Sequence, residues 1–129
     1  MASWDEIRQY MRSRYRLLED DEDHVALLFG FDDNRRHSIT ITLFEAMDRQ
    51  WVLFEARVCR KELMGPKRAL ELNGKSVVGY LALDRDEFYV MRHTALLSTL
   101  DPDELVVPMH VLVKVADKLE EELTGSDIW

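Results

Sequence analysis

The chain has 129 residues, 47% of them hydrophobic and 33% charged, the composition of an ordinary folded domain. Its 17 basic residues against 25 acidic ones leave a formal net charge of −8, a field that opposes loose adhesion to nucleic acid or to anionic lipid. The single cysteine, Cys59, excludes an internal disulfide framework and a multi-cysteine zinc site, and no stretch approaches the ~20 apolar residues of a membrane-spanning helix.

A chain of this length is expected to form one α+β domain, residues 1–129, that buries a sufficient core without a metal or disulfide staple. The first ten residues show no basic start followed by an apolar run, so a cytoplasmic protein is expected. The acidity is concentrated late in the chain: residues 101–129 carry eight acidic and two basic side chains.

Ser3 followed by Glu6 forms a capping box, and Trp4, Ile7, Met11, Tyr15 and Leu18 recur at helical spacing, which predicts a first helix over residues 4–18. The carboxylate run from Glu19 to Asp23 opposes the helix C-terminal dipole and ends it. Two alternating apolar stretches, 24–31 and 35–44, flank the turn Asp32-Asp33-Asn34 and predict a β-hairpin. A three-residue loop sets Phe29 opposite His37, Leu27 opposite Ile39 and Val25 opposite Ile41, so that the apolar residues of both strands share one face. A third strand over 51–59 extends the meander, with Val52, Phe54, Ala56 and Val58 alternating against Trp51, Leu53, Glu55 and Arg57.

Gly65-Pro66 opens a short helix, 66–72, which Asn73-Gly74 is expected to close. Strands over 77–83 and 87–93 form a second hairpin around the polar turn Asp84 to Asp86. Asp101-Pro102-Asp103-Glu104 combines an N-cap with a proline in the first turn and starts a last helix over 102–123, stopped by Gly125. Along it, Leu105, Met109, Leu112, Ala116, Leu119 and Leu123 make one apolar row, and Val107, Val111 and Val115 make a second. Pro108 predicts a kink or a break. The resulting order is α-β-β-β-α-β-β-α: a three-stranded meander plus a hairpin, packed with helices.

Motifs for catalysis are missing. The five glycines are scattered, with no Gly-x-Ser-x-Gly elbow and no phosphate loop. His24, His37, His93 and His110 lie far apart, and none has a histidine or cysteine partner at helical or strand ligand spacing, so no metal and no cofactor are expected. The acidic run 19–23 lacks the glycine and the bidentate glutamate of a calcium loop and reads as a solvated connection. Cys59 lies among Arg57, Arg60 and Lys61, a setting that favours a thiolate, but no histidine is near it in sequence. Arg8, Arg12 and Arg16 line one face of the first helix as a secondary basic patch, read first as a solvated face. Ile128 and Trp129 end the chain as an apolar pair expected to pack back on the domain.

The runs Ala69-Leu70-Glu71-Leu72-Asn73 and Val78-Gly79-Tyr80-Leu81-Ala82-Leu83-Asp84 carry a family resemblance, together with Trp51-Val52, Phe88-Tyr89-Val90-Met91-Arg92 and Val115-Ala116-Asp117. Over residues 51–123 the chain resembles the YbjN family of bacterial sensory transduction regulators, whose fold is similar to that of the type III secretion chaperones. The resemblance implies a non-enzymatic, cytoplasmic homodimer that acts by binding another protein. The residues point the same way. Val107, Val111 and Val115 beside the main row of the last helix, and Trp51 and Leu53 on the far side of their strand, are apolar surface that one small core does not need. They are the expected dimer or partner-binding residues, the partners being a second copy and an unidentified protein or extended peptide. Nucleic acid and membrane are not expected partners. The alternative is an acidic immunity or inhibitor protein that blocks a basic toxin or enzyme through Glu120, Glu121 and Glu122.

Overall fold

The capping box at the start of the chain closes as expected: the Glu6 amide donates to Ser3 Oγ at 3.2 Å, and Ser3 Oγ donates to the Glu6 carboxylate at 3.1 Å. The computed structural model describes residues 3–125, 127 and 129. From this cap, α1 runs over Trp4–Arg14 and buries Trp4, Ile7 and Met11.

The helix stops at Arg14, not at residue 18, and Tyr15 adopts an extended backbone. Leu17–Asp20 then forms an edge strand, β1, that the helical spacing concealed. Tyr15 belongs to the apolar stripe in number only: its ring packs on Phe29 and His110, at centroid distances of 5.5 and 6.1 Å, and Leu18 is left 49% exposed.

Strands β2 (His24–Gly30) and β3 (Arg36–Ala46) pair in the expected register, Phe29 with His37, Leu27 with Ile39 and Val25 with Ile41. Met47 and Asp48, both with positive φ, turn the chain into β4, Arg49–Arg60. A short 3-10 turn at Lys61–Leu63 leads to α2, Pro66–Lys75. Strands β5 (Tyr80–Leu83) and β6 (Phe88–Leu96) follow. The last element, α3, spans Pro102–Thr124 between an Asp101 side-chain cap and a left-handed Gly125.

The six strands form one antiparallel sheet in the order β1-β2-β3-β4-β6-β5. The meander and the second hairpin join because β4 pairs with β6, which the sequence left open. Val52, Phe54, Ala56 and Val58 of β4 share a single core cluster with Ile7 and Met11 of α1 and Leu105, Met109 and Leu112 of α3, so the helices cover one face of the sheet. The α+β class is as expected.

Two local expectations change. Asn73 does not end α2. Its side-chain amide accepts from the Leu81 amide at 2.6 Å and donates to the Leu81 carbonyl at 3.1 Å, so it acts as a substitute neighbour for edge strand β5 while the helix continues to Lys75. Nor does Pro108 break α3, which is continuous through it. The carbonyl four residues earlier, the one a proline cannot serve, belongs to the exposed Glu104, where water can satisfy it.

Candidate functional site

The two rows of α3 separate completely in their surroundings. Leu105, Met109, Leu112 and Ala116 have no exposure against the sheet, whereas Val107 is 52% and Val115 37% exposed, with Val111 half-buried between them. Beside the outer row lies a groove of about 330 Å³ lined by Leu72, Val77, Val78, Leu81, Val111 and Val115. Its far wall exists because residues 77–79, expected as strand, stay outside β5. Gly79 has φ +81, and a Cβ there would stand 2.6 Å from Leu112 Cδ1 and 2.9 Å from the Arg92 carbonyl oxygen. Val77 is 97% exposed at the rim.

Trp51 and Leu53 lie elsewhere. Their side chains alternate with the buried Val52 and Phe54 and therefore face away from the helices. Across the ladder Trp51 meets Phe44 and Leu96, giving a partly buried apolar end to the open face; Trp51 Nε1–H donates to the Ala46 carbonyl at 2.8 Å. The middle of that face is polar, with Arg92 on Glu55 at 2.6 Å and Arg57 on Asp84 at 3.1 Å. The five expected surface residues thus form two separate surfaces, one on α3 and one on the face of the sheet away from the helices.

The secondary basic patch is largely tied up. Arg8 and Arg12 both bind Asp20, whose carboxyl is held below its usual range chiefly by the Arg12 hydrogen bond, and Arg16 lies beyond the helix end. Cys59 is buried, and desolvation pushes its thiol up, away from the nucleophilic thiolate form. His24 sits among Glu19, Asp21 and Asp23, and its hydrogen bonds to Asp23 and Glu19 raise its pKa. His93 packs against Phe54, and burial lowers its pKa.

Sequence spacing missed one constellation altogether. His37, Asp117 and Glu120 are buried with ligand-type atoms within 4.8 Å of one another, although the histidine lies about 80 residues from the acids. Arg35 enters the cluster and donates from Nε to Asp117 at 3.0 Å and from Nη2 to Glu120 at 3.1 Å. His37 Nε2–H donates to the Arg57 carbonyl at 2.7 Å and Nδ1 lies 3.3 Å from Asp117. The guanidinium thus occupies the place beside the carboxylates that a cation would take, and the cluster ties the start of β3 to α3. Among the described residues no buried side-chain polar atom lacks a partner. Glu120 and Glu121 both contact Arg35, and Glu122 contacts Arg68, so the acidic triple is engaged internally.

No family model matches the chain, and no curated protein matches it in sequence. Solved structures match it in fold. The ExsC–ExsE complex contains a chain 17% identical, with a TM-score of 0.65 over 98% of this chain and 100% of that one. The HopA1–SchA chaperone–effector complex contains one 16% identical, with a TM-score of 0.61 over 88% and 89%. The likeness is one of fold: a six-stranded antiparallel sheet and three α-helices among the described residues, an α+β arrangement shared with the matched chains of these two complexes. No helix among the described residues is long and apolar enough to cross a membrane.

Proposed function

We propose that the chain is a non-enzymatic, cytoplasmic protein-binding module, chaperone-like or regulatory in the manner of the YbjN family, that works as a homodimer holding a partner protein or extended peptide. The observation that carries this reading is the outer row of α3: valines at 107, 111 and 115 on a helix whose other row already fills the core. Fold neighbours solved as ExsC–ExsE and as a chaperone–effector complex support the partner half of the reading.

A second copy of the chain suits the valine row because the row is self-complementary. Glu104, Val107, Val111, Val115 and Lys118 share one stripe of α3, spaced three, four, four and three residues apart. Turning the helix end for end about Val111 sets Val107 against Val115 of the second copy and Glu104 against its Lys118. Both charged residues are exposed, as an isologous contact requires. The apolar end of the open sheet face, Trp51 and Leu53 beside Phe44 and Leu96, is then left for the partner.

Charge reversal tests the pairing. Glu104→Lys or Lys118→Glu alone should weaken self-association about tenfold by sedimentation velocity, and the double reversal should restore it. Single reversals without effect, or a double reversal no better than either one, would remove α3 as the dimer contact. The acidic-inhibitor reading draws little from Glu120, which is buried on Arg35, so neutralising it perturbs the fold before it perturbs a surface.

A further inference from the structure

The segment after α3 occupies a site that neither the dimer contact nor the Trp51 surface uses. Gly125, at φ +67, turns the chain off the helix, and Asp127 and Trp129 come down on two adjoining seats. Ile128, between them, lies outside the described residues.

The first seat is polar. The Arg36 amide donates to Asp127 Oδ2 at 3.0 Å, Arg35 Nη2 stands 3.8 Å from Asp127 Oδ1, and the Trp129 amide donates to Glu120 Oε2 at 3.1 Å. The buried Arg35–His37–Asp117–Glu120 cluster thus has an outward-facing side, and that side binds one carboxylate and one backbone N–H two residues further on.

The second seat is aromatic. The Trp129 ring meets Phe88 edge-on, with centroids 5.3 Å apart and planes at 86°. The Arg57 guanidinium lies 5.0 Å from the Trp129 ring and 4.2 Å from the Phe88 ring, and Asp84 steadies it from the other side. Burial pushes the Asp84 carboxyl up, but hydrogen bonds from the Phe88 and Asp86 amides and from Arg57 outweigh this and keep it ionised. The indole does not fill its surroundings. A cleft of about 450 Å³ remains between it, Phe88, Arg60, Leu63 and Leu123, and another of about 210 Å³ on the open sheet face beside Thr40 and Arg57. Trp129 is therefore a partly exposed anchor in an oversized cradle, not a core residue.

The two seats read one pattern: a carboxylate, one intervening residue, then an aromatic ring. We propose that this cradle is a recognition site for a partner segment of the form Asp-x-Trp, and that the chain's own tail is its resident ligand until such a segment displaces it. Because the tail is tethered, it competes at high effective concentration, so the free protein resists weak or mismatched segments. The site lies apart from the α3 stripe, and its test does not depend on the dimer.

The probe is a fluorescein-labelled peptide of residues 125–129, read by fluorescence anisotropy against the full-length chain. Trp129→Ala should bind this peptide about tenfold more tightly than the unaltered chain does, since an occupied site lowers apparent affinity by the fraction of time it is open. Replacing the peptide's aspartate with asparagine should weaken that binding. Asp127→Asn in the protein loosens the tail while leaving the indole in place and should give an intermediate gain, which decides the matter if Trp129→Ala fails to fold. A folded Trp129→Ala chain that does not bind the peptide, or that binds it no better than the unaltered chain, would overturn the proposal.

Discussion

Leu105, Met109, Leu112 and Ala116 of α3 are sealed against the sheet, while Val107 and Val115, on the next row of the same helix, stand 52% and 37% exposed. Both rows are apolar and both keep helical spacing. What separates them is the sheet: Val52 and Phe54 close over the first row, and only the groove beside Val77 and Val78 adjoins the second. An apolar side chain states that it gains from leaving water; its position in the fold decides whether its own chain or another one provides the cover.

The inner row gives the largest expected effect. Met109→Ala should lose about 2–5 kcal/mol of unfolding free energy in urea titration, the range for emptying a fully buried site. Gly79→Ala belongs with it, because the added methyl would strike Leu112 and the Arg92 carbonyl from a backbone that disfavours a side chain. A loss of about 2–4 kcal/mol is expected.

The outer row should behave in the opposite way. Val111→Asp should leave the circular dichroism spectrum intact and, at a concentration low enough that the unaltered chain is also monomeric, shift stability by no more than about 1 kcal/mol, while self-association disappears at higher concentration. If Val111→Asp unfolds the chain as Met109→Ala weakens it, the two rows are one core and the contrast is lost.

The smallest effect sharpens the boundary of the core through two histidines. Burial beside Phe54 lowers the pKa of His93, so below about 6.5 the unfolded chain binds the proton more readily and stability falls as pH drops. His24 is raised by Asp23 and Glu19, so its contribution is present below about 6.5 and is lost as pH rises through the higher folded value. Unfolding midpoints at pH 5 and pH 8 should therefore move in opposite directions in His93→Leu and His24→Gln relative to the unaltered chain.

Local chemistry made much of this fold legible in the sequence. The Ser3 and Asp101 caps, the alternation around the Asp32–Asn34 turn and the Val52–Val58 strand each specify an element from neighbouring residues, and the register of β2 with β3 follows from them. Features set by distant partners were hidden. Leu17–Asp20 continues a helical stripe on paper and becomes a strand only because β2 offers it an edge. Asn73 looks like a helix stop until Leu81 presents a bare strand edge to its amide. The valine row was visible as surplus, but that Trp51 and Leu53 lie on the face of the sheet away from the helices, and so form a separate surface, required the sheet. The His37 cluster depends on contacts across about 80 residues, for which spacing rules carry no signal.

Binding, as a pair, is the proposed mode of action of this chain. Native mass spectrometry of the protein isolated gently from its own host addresses it directly. A species containing two chains of 15.2 kDa and one stoichiometric second protein is the result expected here, and a bare 15.2 kDa monomer at micromolar concentration would contradict the account.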